Sequence, residues 1–131
     1  MIVVDSNIVA YLYLPGAYTE RAESLFGHDS DCAAPILWRS EFRNILTGYL
    51  RQKMLSYDHA IKIQREAESL LLGAEYEIES ERVLALARDS TCSAYDCEFV
   101  GLAMKLNSRL VTMDRALLRA FPNCTQPLPK S

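Results

Sequence analysis

The sequence predicts an α/β fold, a three-layer α/β/α sandwich around a central parallel sheet of four to five strands. Two short and mainly apolar runs, residues 2–4 and 109–113, have the composition of buried strands. Helix-like stretches lie between them, and strands that alternate with helices form βαβ units with a parallel sheet covered on both faces. Since the chain has 131 residues, 50% of them hydrophobic, we expect one domain over residues 1–131 with a substantial core.

Up to Gly73, the pattern predicts two strands and four helices. The strands cover residues 2–4 and 32–34, and the helices start at Ser6 and Asn7 and then cover residues 17–26, 35–53 and 56–72, with a turn at residues 27–30. Ser6 and Ser56 suit helix starts, because a serine hydroxyl can accept a free backbone N–H. Pro15, next to Gly16, ends the first helix. Pro35 suits the first turn of the third helix, and Gly73 suits the end of the fourth.

After Gly73, the pattern predicts three short strands and three helices. The strands lie near Tyr76 and Ile78, at residues 109–113 and at residues 124–125, and the helices cover residues 81–89, 93–106 and 114–121. Ser80 and Ser93 are the predicted helix caps, and Asn107 is the predicted end of the second helix. Three prolines in residues 122–131 limit the last strand to the edge of the sheet.

Four acidic residues stand where predicted strands or helices meet loops or polar positions: Asp5, Glu41, Asp96 and Asp114. Asp5 and Asp114 each close a predicted strand, and the carboxyl ends of parallel strands form the functional edge of such sheets. Each residue also has a purely local role open to it. Aspartate is favoured at helix starts, where it also compensates the helix dipole, and Glu41 can be a solvated helix residue.

If the fold brings these four carboxylates together, they cannot remain close and ionised without a cation. Two carboxylates about 4 Å apart repel each other by roughly 4 kcal/mol at an effective dielectric constant of about 20. Hard oxygen ligands suit Mg²⁺ or Mn²⁺. Ser6, Asn7 and Thr112 are small polar residues next to the strand-end aspartates and can orient such ligands. The set therefore points to metal-assisted chemistry on phosphate.

Basic and aromatic residues give a weaker indication of nucleic-acid binding. Arg39 and Arg43 are four residues apart on one predicted helix face near Glu41 and could hold phosphates, although a solvated helix face explains them equally well. The net charge of −3 provides no general attraction for nucleic acid. Four aromatic residues could stack on bases, but their spacing is more typical of a core: Tyr11, Tyr13, Trp38 and Tyr49.

Several other classes of protein fit the sequence poorly. The four cysteines contain no Cys-x-x-Cys pair and no neighbouring histidine, so we expect reduced cysteines in a cytoplasmic protein rather than a zinc site. The longest uncharged stretch, residues 6–19, is too short to span a bilayer. A haloacid-dehalogenase-type phosphotransferase would need an aspartate where Asn7 stands. A receiver domain would need an acidic pair near the first strand and a strand-end lysine, and the sequence has neither.

Taken in order, the motifs resemble those of PIN-domain ribonucleases, most closely the VapC-type toxins of toxin–antitoxin pairs. The resemblance spans nearly the whole chain and rests on four segments: Val4-Asp5-Ser6-Asn7, Glu41-x-x-Asn44, Ser93-Ala94-Tyr95-Asp96 and Leu110-Val111-Thr112-Met113-Asp114. The four segments follow one another in the order and spacing of that family. Cys97 stands where a small apolar residue is usual, and whether the additional carboxylate of Glu98 joins the site is open.

The resemblance implies a metal-dependent endoribonuclease. It assigns metal binding and catalysis to the acidic quartet Asp5, Glu41, Asp96 and Asp114, with Ser6, Asn44 and Thr112 in support. It also implies Mg²⁺, with Mn²⁺ as a substitute, an RNA substrate, a homodimer, and a small antitoxin whose tail occupies the acidic groove. Two alternatives stay open: a PIN-domain nuclease outside a toxin–antitoxin pair, and a catalytically silent scaffold that binds RNA or protein.

Overall fold

The structure is a computed structural model and describes residues 1–130, which form five strands and seven helices. In chain order the elements are β1 (Ile2–Val4), α1 (Ser6–Tyr13), α2 (Thr19–His28), β2 (Cys32–Pro35), α3 (Trp38–Arg51), α4 (Tyr57–Leu70), β3 (Glu75–Tyr76), α5 (Ser80–Arg88), α6 (Ala94–Lys105), β4 (Leu110–Val111), α7 (Arg115–Ala120) and β5 (Thr125–Gln126). The alternation of strands and helices agrees with the prediction.

All four strand pairings of the sheet are parallel, in the order β3-β2-β1-β4-β5. The central strand β1 is buried along its whole length, and Val3 lies opposite Ala33 of β2 on one side and Leu110 of β4 on the other. The chain moves outward from β1 through β2 to β3, then crosses back to begin β4 on the other side of β1. The direction of winding therefore reverses between β1 and β4, which is where sites form in parallel α/β sheets.

The helices complete the predicted α/β/α arrangement. Helix α1 contacts α2, α3 and α4, whereas α6 packs on strands β1, β2 and β4 and against α5. Helix α3 turns Trp38, Phe42 and Leu46, each four residues apart, toward the core. The rings of Trp38 and Phe42 meet nearly edge to face with centroids 5.6 Å apart. This packing fixes the rotation of α3 and therefore decides which of its polar residues face outward.

One predicted boundary is wrong because strand pairing extends β2. Pro35 was expected in the first turn of the third helix, but it is the last residue of β2 and lies opposite Tyr76 of β3. The N–H of Ile36 donates to the carbonyl of Tyr76 over 2.9 Å, so the chain remains extended beyond the proline. Helix α3 consequently begins at Trp38.

Two helix ends also differ from the prediction. The expected turn at residues 27–30 begins too early, because α2 continues through Gly27 to His28 and the N–H of Asp29 still donates to the carbonyl of Leu25. Ser80 was expected to cap α5, but it is the first residue of that helix, and Glu79 occupies the cap position without a side-chain hydrogen bond. Both shifts are local and leave the order of elements unchanged.

The cysteines are unpaired, and most of them lie in the core. All four cysteines are free, and Cys32, Cys92 and Cys97 are buried, as expected for cysteines that act as small apolar residues. Burial raises the pKa of the Cys32 thiol to about 11, so this thiol stays protonated at neutral pH.

No helix within residues 1–130 combines the length and the apolar character needed to cross a membrane.

Candidate active site

The four carboxylates singled out in the sequence line one pocket of about 400 Å³. Each comes from a different part of the fold. Asp5 directly follows β1 and caps α1. Asp114 caps α7 and lies three residues after the end of the neighbouring strand β4, which stops at Val111 and not at residue 113 as predicted. Glu41 lies in the first turn of α3, and Asp96 lies in the first turn of α6. The pocket therefore forms at the carboxyl edge of the sheet, beside the point where its winding reverses.

Both carboxylate oxygens of Asp5 accept hydrogen bonds. The hydroxyl of Thr112, which is fully buried, donates to Asp5 Oδ2 over 2.7 Å, and the backbone N–H of Ser6 donates to Asp5 Oδ1 over 2.7 Å. The same Thr112 oxygen accepts the N–H of Asp114 over 3.0 Å. Thr112 therefore links Asp5 to Asp114 through one hydroxyl group.

Glu41 is held by a residue from the other side of the pocket. The buried Ser6 hydroxyl donates to Glu41 Oε1 over 2.7 Å, which ties the start of α1 to α3. Glu41 is one of four residues that face the pocket from α3 and from the position directly before this helix. They are spaced four, three and one residues apart: Leu37, Glu41, Asn44 and Ile45. Asn44 is exposed and lines the pocket one turn after Glu41.

The other two aspartates are oriented by helix-start hydrogen bonds. The N–H of Asp96 donates to the Ser93 hydroxyl over 3.0 Å, so Ser93 and not Asp96 caps α6, and the Asp96 carboxylate is left to face the pocket. Asp114 does cap its helix, because its Oδ1 accepts the N–H of Leu117 over 3.1 Å. The capping role considered for Asp114 is real and leaves its second oxygen available.

The electrostatics of the pocket favour a bound cation. The pKa values of Asp5, Glu41 and Asp96 are all raised, first by burial and then by the negative charge of neighbouring carboxylates. Hydrogen bonds from Thr112 and Ser6 oppose the increase at Asp5 and Glu41. In the part of the chain that the structure describes, no lysine, arginine or histidine lines this pocket to offset the charge.

The donor set fits a hard divalent cation, although it does not close into a finished coordination cage. Within residues 1–130, no group of three or more His, Cys, Asp or Glu side chains is arranged to hold a metal ion already. The pocket nevertheless offers four carboxylates together with hydroxyl and amide oxygens, and its lining among the described residues includes no thiol or imidazole group. Such oxygen donors suit Mg²⁺ or Mn²⁺. A cation would relieve the mutual repulsion that, after burial, raises the pKa values of these carboxylates.

The two arginines expected to contact RNA have different surroundings. Arg43 is exposed and donates to the hydroxyl of Ser40, a residue that lines the pocket, over 3.2 Å. Arg39 lies away from the pocket, because its guanidinium donates twice to Glu75, over 2.6 and 2.7 Å, and once to Glu68, over 3.2 Å. The structure therefore brings Arg43, and not Arg39, to the rim of the acidic pocket.

Glu98 and four aromatic residues were further candidates from the sequence, and none of them lines the acidic pocket. Glu98 lines a neighbouring groove with Ile36 and Leu84, although its charge contributes to the raised pKa of Glu41. The aromatic residues considered as base-stacking candidates are buried or packed against the core: Tyr11, Tyr13, Trp38 and Tyr49. Sequence reasoning did not assign a role to Tyr95, an exposed aromatic residue at the pocket. Its position directly before Asp96, in the first turn of a helix, was the available signal.

Similarity to known proteins agrees with this geometry. Residues 2–121 match the model of the PIN domain. The chain is 29% identical over 129 residues to Ribonuclease VapC3 of Pyrobaculum aerophilum, which covers 96% of this chain and 98% of that protein. Both matches extend over nearly the same residues as the motifs described above.

Two solved structures share the fold. PAE2754 from Pyrobaculum aerophilum superposes with a TM-score of 0.77 at 20% identity, over 97% of this chain and 90% of that chain. A toxin–antitoxin complex from Klebsiella pneumoniae contains a chain that superposes with a TM-score of 0.71 at 16% identity, over 100% of both chains. Since the family match covers most of the sequence and the folds agree, the chain belongs to the PIN domain family.

Proposed function

We propose that this protein is an Mg²⁺-dependent endoribonuclease, with Mn²⁺ able to substitute, and the toxin of a toxin–antitoxin pair. The observation that carries the proposal is the meeting of Asp5, Glu41, Asp96 and Asp114 in one pocket that has no basic lining residue within residues 1–130. Membership of the PIN domain family and similarity to Ribonuclease VapC3 support hydrolysis of RNA rather than another reaction on phosphate.

In this proposal the four carboxylates hold one or two divalent cations. A bound cation would neutralise charge on the scissile phosphate and acidify the attacking water. Ser6 and Thr112 keep the carboxylates of Glu41 and Asp5 aimed into the pocket, because each hydroxyl donates over 2.7 Å to one carboxylate oxygen. Water attacks phosphorus in line with the departing 3′ oxygen, so the products carry a 5′-phosphate and a 3′-hydroxyl.

Two further elements of the proposal concern RNA and proteins. Arg43 supplies positive charge at the rim and is the better placed of the two arginines to contact an RNA phosphate. The toxin–antitoxin complex from Klebsiella pneumoniae, which shares the fold, supports an antitoxin as the protein partner. A small antitoxin and a cytoplasmic toxin are proposed on the family resemblance alone. We also propose a homodimer, on the basis of the family resemblance alone.

Replacing the aspartates with their isosteric amides tests the nuclease. Purified wild type should cleave single-stranded RNA only when Mg²⁺ or Mn²⁺ is added, and EDTA should abolish the cleavage. Asp5→Asn and Asp96→Asn should each lose at least about 10²-fold in rate while circular dichroism and the thermal midpoint show a folded protein. Cleavage that persists in both variants, in preparations freed of contaminating nuclease, would identify a different active site and would refute the proposal.

The same variants separate the toxin from the silent scaffold. Induction of the wild type should arrest growth, and co-expression of the small protein encoded next to it should restore growth and copurify with it. Asp5→Asn should still copurify but should not arrest growth. A wild type that arrests no growth and cleaves no RNA, yet binds either partner, would favour the scaffold. Cleavage without growth arrest would favour a nuclease outside a toxin–antitoxin pair.

A further inference from the structure

The acidic pocket has a second, uncharged wall that the proposed chemistry does not use. Ile45 lines it from α3, Leu37 from the position directly before α3, and Tyr95 from the first turn of α6. The three side chains are apolar or aromatic, whereas the rest of the lining is acidic or polar. The pocket lining therefore combines acidic side chains, suited to a cation and a phosphate, with apolar and aromatic ones.

Tyr95 is the part of this wall that requires an explanation. Its side chain is 64% exposed, although it lies in a pocket and next to Asp96 in the chain. Core packing does not account for it, because the aromatic residues that stabilise the fold are buried or half-buried against the core. An exposed aromatic face beside a phosphate-binding site is a common platform for an unstacked nucleobase.

The charge of the pocket favours a contribution to RNA binding that does not depend on charge, in addition to the cation and to Arg43 at the rim. A phosphodiester brings a further negative charge to four carboxylates, and no basic side chain lines the pocket among the residues that the structure describes. A cation can offset that charge but does not hold the rest of the nucleotide. Stacking on an aromatic ring contributes binding free energy without any charge, and every nucleobase has a face that can stack.

We propose that Tyr95 stacks on the nucleobase next to the scissile phosphate, in the pocket that Leu37 and Ile45 also line. The inference rests on the proposed function, and it adds a residue that positions the substrate: Tyr95 binds an unstacked base at the cleavage site, as in a loop or a bulge. A base inside a helix stacks on its neighbours and cannot reach the wall, so paired RNA should be a poor substrate.

Steady-state kinetics of Tyr95 variants test this assignment. With a single-stranded oligoribonucleotide that the wild type cleaves, Tyr95→Ala should raise KM by about 5- to 150-fold, the range expected for the loss of one stacked base, with a smaller effect on kcat. Tyr95→Phe and Tyr95→Trp keep the aromatic face and should retain near wild-type KM. Tyr57→Ala is the matched control, because Tyr57 is 69% exposed and lies on α4, away from the pocket.

An abasic substitution in the substrate shows whether the base and Tyr95 act together. Removing the base on one side of the cleaved bond should weaken wild-type cleavage by about the same factor as Tyr95→Ala. Combining the variant with that abasic substrate should produce little further loss, because the interaction is already absent. Full additivity at every position on both sides of the bond would refute the stacking assignment.

The outcomes keep this inference distinct from the nuclease itself. If the wild type cleaves no RNA in Mg²⁺ or Mn²⁺, the proposed function fails before the Tyr95 variants are compared. If the wild type cleaves and Tyr95→Ala has an unchanged KM, the stacking proposal alone fails. If Tyr95→Ala cleaves normally but no longer copurifies with the antitoxin, the wall binds a protein side chain instead, and the stacking proposal is again overturned.

Discussion

The Ser6 hydroxyl donates to Glu41 Oε1 over 2.7 Å and joins two residues that are 35 positions apart in the chain. Ser6 is buried at the start of α1, directly after Asp5, and its backbone N–H also donates to the Asp5 carboxylate. One serine therefore orients two of the four carboxylates through different atoms. This explains why a small hydroxyl residue, and not merely a helix former, stands at this position.

Ser6→Ala should lower cleavage by about 10- to 100-fold, the usual effect of losing a group that orients a metal ligand. The variant removes the hydroxyl donor to Glu41 but keeps the backbone N–H that holds Asp5. Initial rates over a range of Mg²⁺ concentrations should show a higher metal requirement. Ser69→Ala, at an exposed serine of α4, should behave as wild type. An unchanged metal requirement in Ser6→Ala would contradict the assigned role.

Thr112→Val should destabilise the protein by about 1–3 kcal/mol and also reduce activity. The substitution preserves shape but removes the buried oxygen that donates to Asp5 Oδ2 and accepts the Asp114 N–H. Urea unfolding measures the loss of stability. Thr112→Ser keeps the hydroxyl and should recover most of the activity. If Thr112→Val and Thr112→Ser were equally active, the hydroxyl would have no orienting role.

Asp96→Asn should raise the thermal midpoint of the metal-free protein at neutral pH by a few degrees while abolishing activity. Burial and the charge of Asp114 raise the pKa of Asp96 in the folded state. A carboxylate whose folded pKa is raised costs stability as pH increases through its titration, so an amide relieves this cost. Differential scanning calorimetry with EDTA measures the shift. Added Mg²⁺ should stabilise the wild type more than the variant, and equal stabilisation would contradict metal binding by Asp96.

Glu75→Gln should destabilise the protein by about 1–3 kcal/mol at pH 7, and the difference should shrink below about pH 4. Hydrogen bonds from Arg39 and Trp38 lower the pKa of Glu75. A carboxylate with a lowered folded pKa contributes stability that is complete above its unfolded pKa and is lost as pH falls through its folded pKa. Urea unfolding at several pH values tests this dependence.

A matched exposed ion pair provides the control for the Glu75 prediction. Arg88 and Asp89 form a hydrogen-bonded pair on the surface, so Asp89→Asn should leave stability unchanged because solvent screens exposed pairs. A Glu75→Gln effect that is the same at pH 7 and pH 3 would show that packing, and not charge, is responsible.

Arg43→Ala should affect RNA binding but not stability, whereas Arg39→Ala should affect stability but not RNA binding. Arg43→Ala should weaken binding of single-stranded RNA and reduce the slope of log K against log salt by about 0.7, the value for one lost phosphate contact, with stability unchanged. Arg39→Ala should leave this slope unchanged but destabilise the fold, because Arg39 is bound to Glu68 and Glu75. Fluorescence anisotropy, with Ca²⁺ in place of Mg²⁺, measures RNA binding by each variant. Urea unfolding measures the stability of each variant. A reduced slope in Arg39→Ala would restore Arg39 as an RNA contact.

Much of the fold was predictable because its signals are local. The β-branched run of β1 and the serine caps Ser56 and Ser93 depend only on neighbouring residues, and the structure has them where the pattern predicted. The end of β2 was not predictable in this way. Pro35 continues the strand because β3, some 40 residues later in the chain, pairs with it, and no local preference of proline contains that information.

The candidate site likewise has features that short sequence patterns predict and features that only long-range packing decides. The sequence by itself determined which residues supply carboxylates, and that Asp5 and Asp114 follow strands of one parallel sheet, because strand character and helix starts are written in short patterns. Only the tertiary structure decided that β4 lies beside β1, so that Thr112 reaches Asp5, and that α3 turns Glu41 toward Ser6 while Arg39 turns toward Glu75. Helical periodicity groups side chains on one face, but the packing of distant segments chooses the rotation of that face and its partners.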